Sequence, residues 1–100
     1  MTEQKRTAIV TGAGRGIGAE IARRLASDGF NVAAIDLDQK GLDALTSDLR
    51  AQGHSAIGIV ADISNEEAVD AAVARTADEL GAPVVVVNNA GIIRDNMLFK

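Results

Sequence analysis

Eight residues, Thr11-Gly12-Ala13-Gly14-Arg15-Gly16-Ile17-Gly18, carry four glycines at alternate positions between an apolar run and an amphipathic stretch. A bound phosphate needs backbone N–H groups aimed at it and no Cβ in the way; glycine supplies both the tight turn and the close approach. A helix beginning at Gly16 adds the positive end of its dipole. A plain strand-to-helix turn needs fewer glycines, so the segment reads as an anion cradle formed by Gly12, Gly14, Arg15, Gly16, Ile17 and Gly18. The common dinucleotide fingerprint would place its third glycine at position 17, where Ile17 stands, and no Gly-Lys-Ser/Thr follows to make a P-loop.

Two acids and a pair of amides complete the candidate site. Asp36 is the first charge after the second apolar run, at the distance expected of an acid that accepts from a ribose 2′-hydroxyl and repels a 2′-phosphate. Leu37 follows it, so no basic residue stands there to receive such a phosphate. Asp62, with Ile63 beside it, follows the third apolar run as a loop acid ahead of Ser64, placed where it could accept a hydrogen bond from a ligand. Asn88-Asn89-Ala90-Gly91 follows four valines, where amides can satisfy backbone groups that a sheet leaves open. Asp36 favours NAD(H), and Arg15 keeps NADP(H) as the alternative. His54, in a loop beside Gly53, and the pairs Lys5-Arg6 and Arg23-Arg24 read as solvated groups.

The elements that must hold these residues alternate. Thr7–Val10, Asn31–Ile35, Ala56–Val60 and Val84–Val87 are short apolar runs without polar alternation, the pattern of strands covered on both faces. Between them, Gly16–Asp28 carries Ile17, Ile21 and Leu25 as an expected inner stripe with Ala22 and Ala26 beside them, and Gln39–Gln52 carries Leu42, Leu45 and Leu49. A third helix opens at Ser64, with Glu67 completing an expected capping box and Val69, Val73 and Leu80 facing inward. Gly81 and Pro83 end it. The order βαβαβαβ predicts the N-terminal part of a doubly wound parallel α/β sheet, a Rossmann-type fold in one domain spanning 1–100.

Composition narrows the chemistry. The 100 residues hold 10 Lys+Arg against 14 Asp+Glu, a net charge of -4, which leaves no basic footprint for nucleic acid. There is no Cys, Trp or Tyr and a single His, so neither a disulfide framework nor a thiolate zinc site is available, nor a tyrosine acid. No apolar run approaches the ~20 residues needed to span a bilayer, and no signal-peptide pattern opens the chain. A cytoplasmic location is expected. A four-strand sheet would leave the valine-rich run at an exposed edge, which implies further chain after Lys100.

The pairing of Thr11-Gly12-x-x-x-Gly16-Ile17-Gly18 with Asn88-Asn89-Ala90-Gly91 resembles the two cofactor signatures of the short-chain dehydrogenase/reductase family. Asp62-Ile63 is similar to that family's adenine contact. The resemblance implies an oxidoreductase that binds NAD(P), with Asn89, Ala90 and Gly91 beside the cofactor ribose and Asn88 tying strands together. It also implies a Ser, a Tyr and a Lys four residues after it as catalytic groups, and a homotetramer. None of those catalytic groups is assigned within these residues. The stretch Arg94-Asp95-Asn96 resembles the family's 3-oxoacyl-thioester reductases, acting on acyl-carrier-protein or CoA substrates, which usually take NADPH. Two other readings stand beside this one. The first is a short non-catalytic nucleotide-binding module. The second is the start of an S-adenosylmethionine-dependent methyltransferase, against which stand Val10 and Thr11 where that class carries an acid.

Overall fold

A computed structural model describes residues 5–89. Seven elements follow in the expected order: β1 (Thr7–Thr11), α1 (Gly16–Ser27), β2 (Asn31–Asp36), α2 (Gln39–Ala51), β3 (Ala56–Val60), α3 (Glu66–Glu79) and β4 (Pro83–Val87). The strands are parallel, in the order β3-β2-β1-β4. The valine-rich strand is an edge strand among the described residues, as the sequence predicts.

Neighbouring side chains on each strand point to opposite faces, and the core divides accordingly. Val10, Val32 and Ala34 face α1 and α2, where they meet Ala22, Ala26, Leu42, Leu45 and Leu49. Ile9, Ala33, Ile35, Ile57 and Ile59 face the other way and pack with Ala72 of α3. Helices on both faces make the sheet doubly wound. The leucine stripe of α2 is buried as expected, each side chain contributing roughly 1.5–3 kcal/mol relative to an exposed one.

Two local expectations are corrected. Ile17 does not belong to the inner stripe of α1: it is 72% exposed, and Gly18 is buried instead, together with the expected Ala22 and Ala26, while Ile21 and Leu25 pack partly buried against the same core. Small residues four apart let the helix approach the sheet, which bulky ones would prevent. Ser64 does not cap α3. Asn65 is the cap, its side chain accepting from the Ala68 N–H at 3.0 Å, while the Ser64 hydroxyl donates instead to Asp62 Oδ1 at 2.7 Å. The second strand also runs one residue further than expected, because Asp36 pairs with Val60.

The strand order locates the site. The chain lays β2 and then β3 on one side of β1, and crosses back to place β4 on the other. In such sheets the loops after β1 and β4 diverge, and the crevice outside their carboxyl ends is where ligands bind.

Candidate functional site at the switch point

An open cleft of about 670 Å³ lies at that crevice, lined by Gly12, Arg15, Gly16 and Ile17 from the glycine turn, Ile35, Asp36 and Leu37 from the end of β2, Ala61, Asp62, Ile63 and Ser64 after β3, and Asn89 after β4. The volume lies within the range of small-molecule and cofactor sites. Eight residues singled out in the sequence thus come together: Gly12, Arg15, Gly16, Ile17, Asp36, Asp62, Ile63 and Asn89. Gly14 and Gly18 do not line the cleft; they shape it from behind. Ala90 and Gly91 lie outside the described residues.

The turn needs its glycines for two reasons. Gly12 and Gly16 have φ of 65° and 61°, the left-handed region that side chains disfavour. Gly18 allows close approach: a Cβ there would fall onto the Gly12 carbonyl oxygen, 2.6 Å from its carbon and 2.8 Å from Asn89 Nδ2. Helix α1 begins at Gly16; Arg15, at its N-cap position, makes no side-chain cap, and the first turn holds no acid. By contrast, α2 and α3 are capped by the Asp38 and Asn65 side chains. The N–H groups at the start of α1 therefore meet the cleft without a side-chain acceptor and with the positive end of the dipole behind them.

Asp36 is tied to that turn. Its Oδ2 accepts from the Gly14 N–H at 2.8 Å, and its Oδ1 accepts from the N–H groups of Leu37 at 2.6 Å and Asp38 at 3.1 Å. A carboxylate offers about four lone-pair sites, so three backbone donors fix its plane and leave acceptor capacity towards the cleft. The far end of β1 is fixed to β4 by Thr11, whose hydroxyl accepts from the Asn89 N–H at 2.9 Å and faces Asn88 Oδ1 at 3.3 Å. Asn88 thereby ties the end of β1 to the segment after β4, as the family resemblance implies.

Asp62 is organised by Ser64. The Ser64 hydroxyl, and then the Ser64 N–H at 2.9 Å, donate to Asp62 Oδ1 and hold this exposed carboxyl below its ordinary pKa. A depressed acid keeps its charge until the pH falls through its lowered value, so interactions of charged Asp62 are lost only on acidification past that point. Ser64→Ala removes the larger of the two donors. The Asp62 pKa is expected to rise towards its ordinary value in a carboxyl-carbon NMR titration, moving that loss to higher pH; an unchanged titration contradicts the assignment.

Five contributors escape sequence reasoning. Ile35, Leu37 (65% exposed) and Ala61 line the cleft wall, and Ser64, expected as a helix cap, holds Asp62 instead. The fifth, Gly41, sits in the first turn of α2, where a Cβ would fall onto the Gly14 carbonyl oxygen. A glycine inside a helix costs about 1 kcal/mol relative to alanine, and that anomaly is the available signal. Among the described residues, no group of three or more His, Cys, Asp or Glu could hold a metal, and no helix is long and apolar enough to cross a membrane.

Fold and cleft together define a doubly wound α/β domain with a glycine turn at its switch point. The profile of the short chain dehydrogenase family matches residues 6–100, and the chain belongs to that family. It is 41% identical over its whole length to a 3-oxoacyl-(acyl-carrier-protein) reductase of Pseudomonas aeruginosa, covering 40% of that protein. It is 45% identical over 95 residues to the short-chain reductase NovJ of Streptomyces niveus, covering 36%. The chain therefore spans about two-fifths of the length of these curated relatives. A blue fluorescent protein from a metagenomic library, solved with NADPH, superposes with a TM-score of 0.83 at 42% identity, over 87% of this chain and 36% of that one. A short-chain dehydrogenase/reductase from Burkholderia phymatum, solved with NAD, gives 0.79 at 32% identity over 86% and 31%.

Proposed function

We propose that residues 1–100 are the dinucleotide-binding part of a single larger Rossmann domain, in an NAD(P)-dependent oxidoreductase that reduces a 3-oxoacyl thioester, carried on acyl-carrier-protein or CoA, to the 3-hydroxyacyl form. The observation that carries this reading is the Asp36 carboxylate, fixed by three backbone donors at the end of β2 and facing the same cleft as the uncapped start of α1.

The residues fit such a cofactor. The N–H groups that open α1 hold the pyrophosphate, and the glycines keep Cβ atoms out of its path. Asp36 accepts from the adenosine ribose and repels a 2′-phosphate, which favours NAD(H). Arg15 at the cleft keeps NADP(H) as the alternative, and NADPH in solved relatives supports that alternative. Asp62 and Ile63 take the adenine, and Asn89, Ala90 and Gly91 border the other ribose. When bound, the nicotinamide supplies the hydride. The catalytic Ser, Tyr and Lys, and the helices of a tetramer, are assigned to the remainder of the protein. The 3-oxoacyl substrate class rests on the likeness to the Pseudomonas reductase and on Arg94-Asp95-Asn96.

Titration of the full-length protein with NADH, NADPH and S-adenosylmethionine tests this. Saturable binding of a dinucleotide, with oxidation of the reduced form on adding an acetoacetyl thioester, is the expected result. Binding of S-adenosylmethionine alone, or of none of the three, overturns it.

A further inference from the structure

Gly41 lies outside the glycine turn, the acids and the amides, yet it packs against the turn so closely that no side chain fits between them. It sits in the first turn of α2, its N–H donating to Asp38 Oδ1 at 3.1 Å. A Cβ at this position would fall onto the Gly14 carbonyl oxygen, 2.8 Å from the Gly14 carbonyl carbon and 2.7 Å from Asp38 Oδ2. Real Cβ contacts are not found below 3.0 Å, and here the obstacle is backbone, which cannot swing aside as a flexible side chain can. The opposite end of the same residue, the Gly14 N–H, donates to Asp36 Oδ2 at 2.8 Å. The far oxygen of that carboxylate is held by Leu37 and Asp38 in the segment leading into α2. The first turn of α2, Gly14 and Asp36 thus form a closed ring of contacts, with Gly41 as the member whose missing side chain lets the ring close.

We infer that Gly41 is a positioning residue for cofactor discrimination, setting through Gly14 where the Asp36 carboxylate stands against the adenosine ribose. This rests on the proposed dinucleotide reading. A side chain at 41 pushes the Gly14 carbonyl away, draws its N–H off Asp36 Oδ2, and leaves the carboxylate held at one oxygen only. Discrimination between a ribose hydroxyl and a ribose phosphate then weakens, while the atoms nearest the added Cβ belong to Gly14 and Asp38 and not to the N–H groups of α1 proposed to hold the pyrophosphate.

The test uses the full-length protein, with dissociation constants for NADH and NADPH measured in parallel and folding checked by circular dichroism. Gly41→Ala is expected to weaken NADH binding about tenfold, the scale of one hydrogen bond to a charged acceptor, with a smaller change for NADPH, so that the ratio of the two constants collapses. A purely structural defect weakens both equally. Asp38→Ala, which frees the Gly41 N–H without adding volume, is expected to shift the ratio the same way by about threefold, the low end for a lost cap, and serves if the alanine at 41 does not fold. If native protein binds a dinucleotide and the ratio is unchanged in the variants that fold, the inference about Gly41 is overturned alone. If native protein binds neither dinucleotide, the functional reading fails and this inference falls with it.

Discussion

Replacing Asp36 with alanine in the full-length protein lowers NADH affinity by about tenfold to a hundredfold, the loss expected for a hydrogen bond to a charged group. NADPH affinity holds or improves, because the carboxylate that repels a 2′-phosphate is gone. The nicotinamide fluorescence of the two reduced cofactors reports both constants. Part of the loss comes from within the protein, since Gly14, Leu37 and Asp38 all give their N–H groups to this carboxylate. Asp36→Asn separates the contributions. Its amide oxygen still accepts from Leu37 and Asp38, but its NH2 cannot accept from Gly14. Preference for NADH is expected to narrow in both variants. An unchanged ratio in both removes Asp36 from the ribose site.

Gly18→Ala is expected to damage the fold and the cleft together. The added methyl would collide with the Gly12 carbonyl and reach 2.8 Å from Asn89 Nδ2, so α1 must move off β1 or the turn must open. Overpacking against side chains costs about 1–3 kcal/mol, and a backbone obstacle puts this substitution at about 3 kcal/mol or above. Because the same shift disturbs the Asn89 side of the cleft, dinucleotide binding is expected to fall even where the protein remains folded. Denaturant midpoints and NADH titrations check the two effects separately. A variant with native midpoint and native affinity contradicts the packing described for α1.

The packing around Gly18 also shows what a sequence can and cannot reveal. The order of strands and helices was legible because apolar runs without alternation and leucines at helical spacing are signals of bulk, and Leu42, Leu45 and Leu49 are buried where their spacing puts them. In α1 the same logic holds for Ile21, Ala22, Leu25 and Ala26 but fails at the first turn. Bulk pointed to Ile17, but Gly18 takes the buried position, because closeness there depends on what is missing. The start of α3 offered two cap-competent residues in succession. Ser64 is drawn to Asp62, which leaves Asn65 to cap. The meeting of the glycine turn, Asp36, Asp62 and Asn89 at one cleft was legible from the motifs and their places at the ends of successive apolar runs, whereas Gly41 was not, since its partner is a backbone carbonyl remote in sequence. Motif residues were readable because their chemistry is local. The supporting contacts depend on tertiary distance, which no spacing encodes.

The most direct test of the central claim is a crystal structure of the full-length protein with NADH bound. The account predicts the pyrophosphate against the first N–H groups of α1, and the adenosine ribose 2′-hydroxyl within hydrogen-bonding distance of the Asp36 carboxylate, with Gly14 still donating to its other side. A dinucleotide seated away from the glycine turn, or an adenosine ribose out of reach of Asp36, would contradict it.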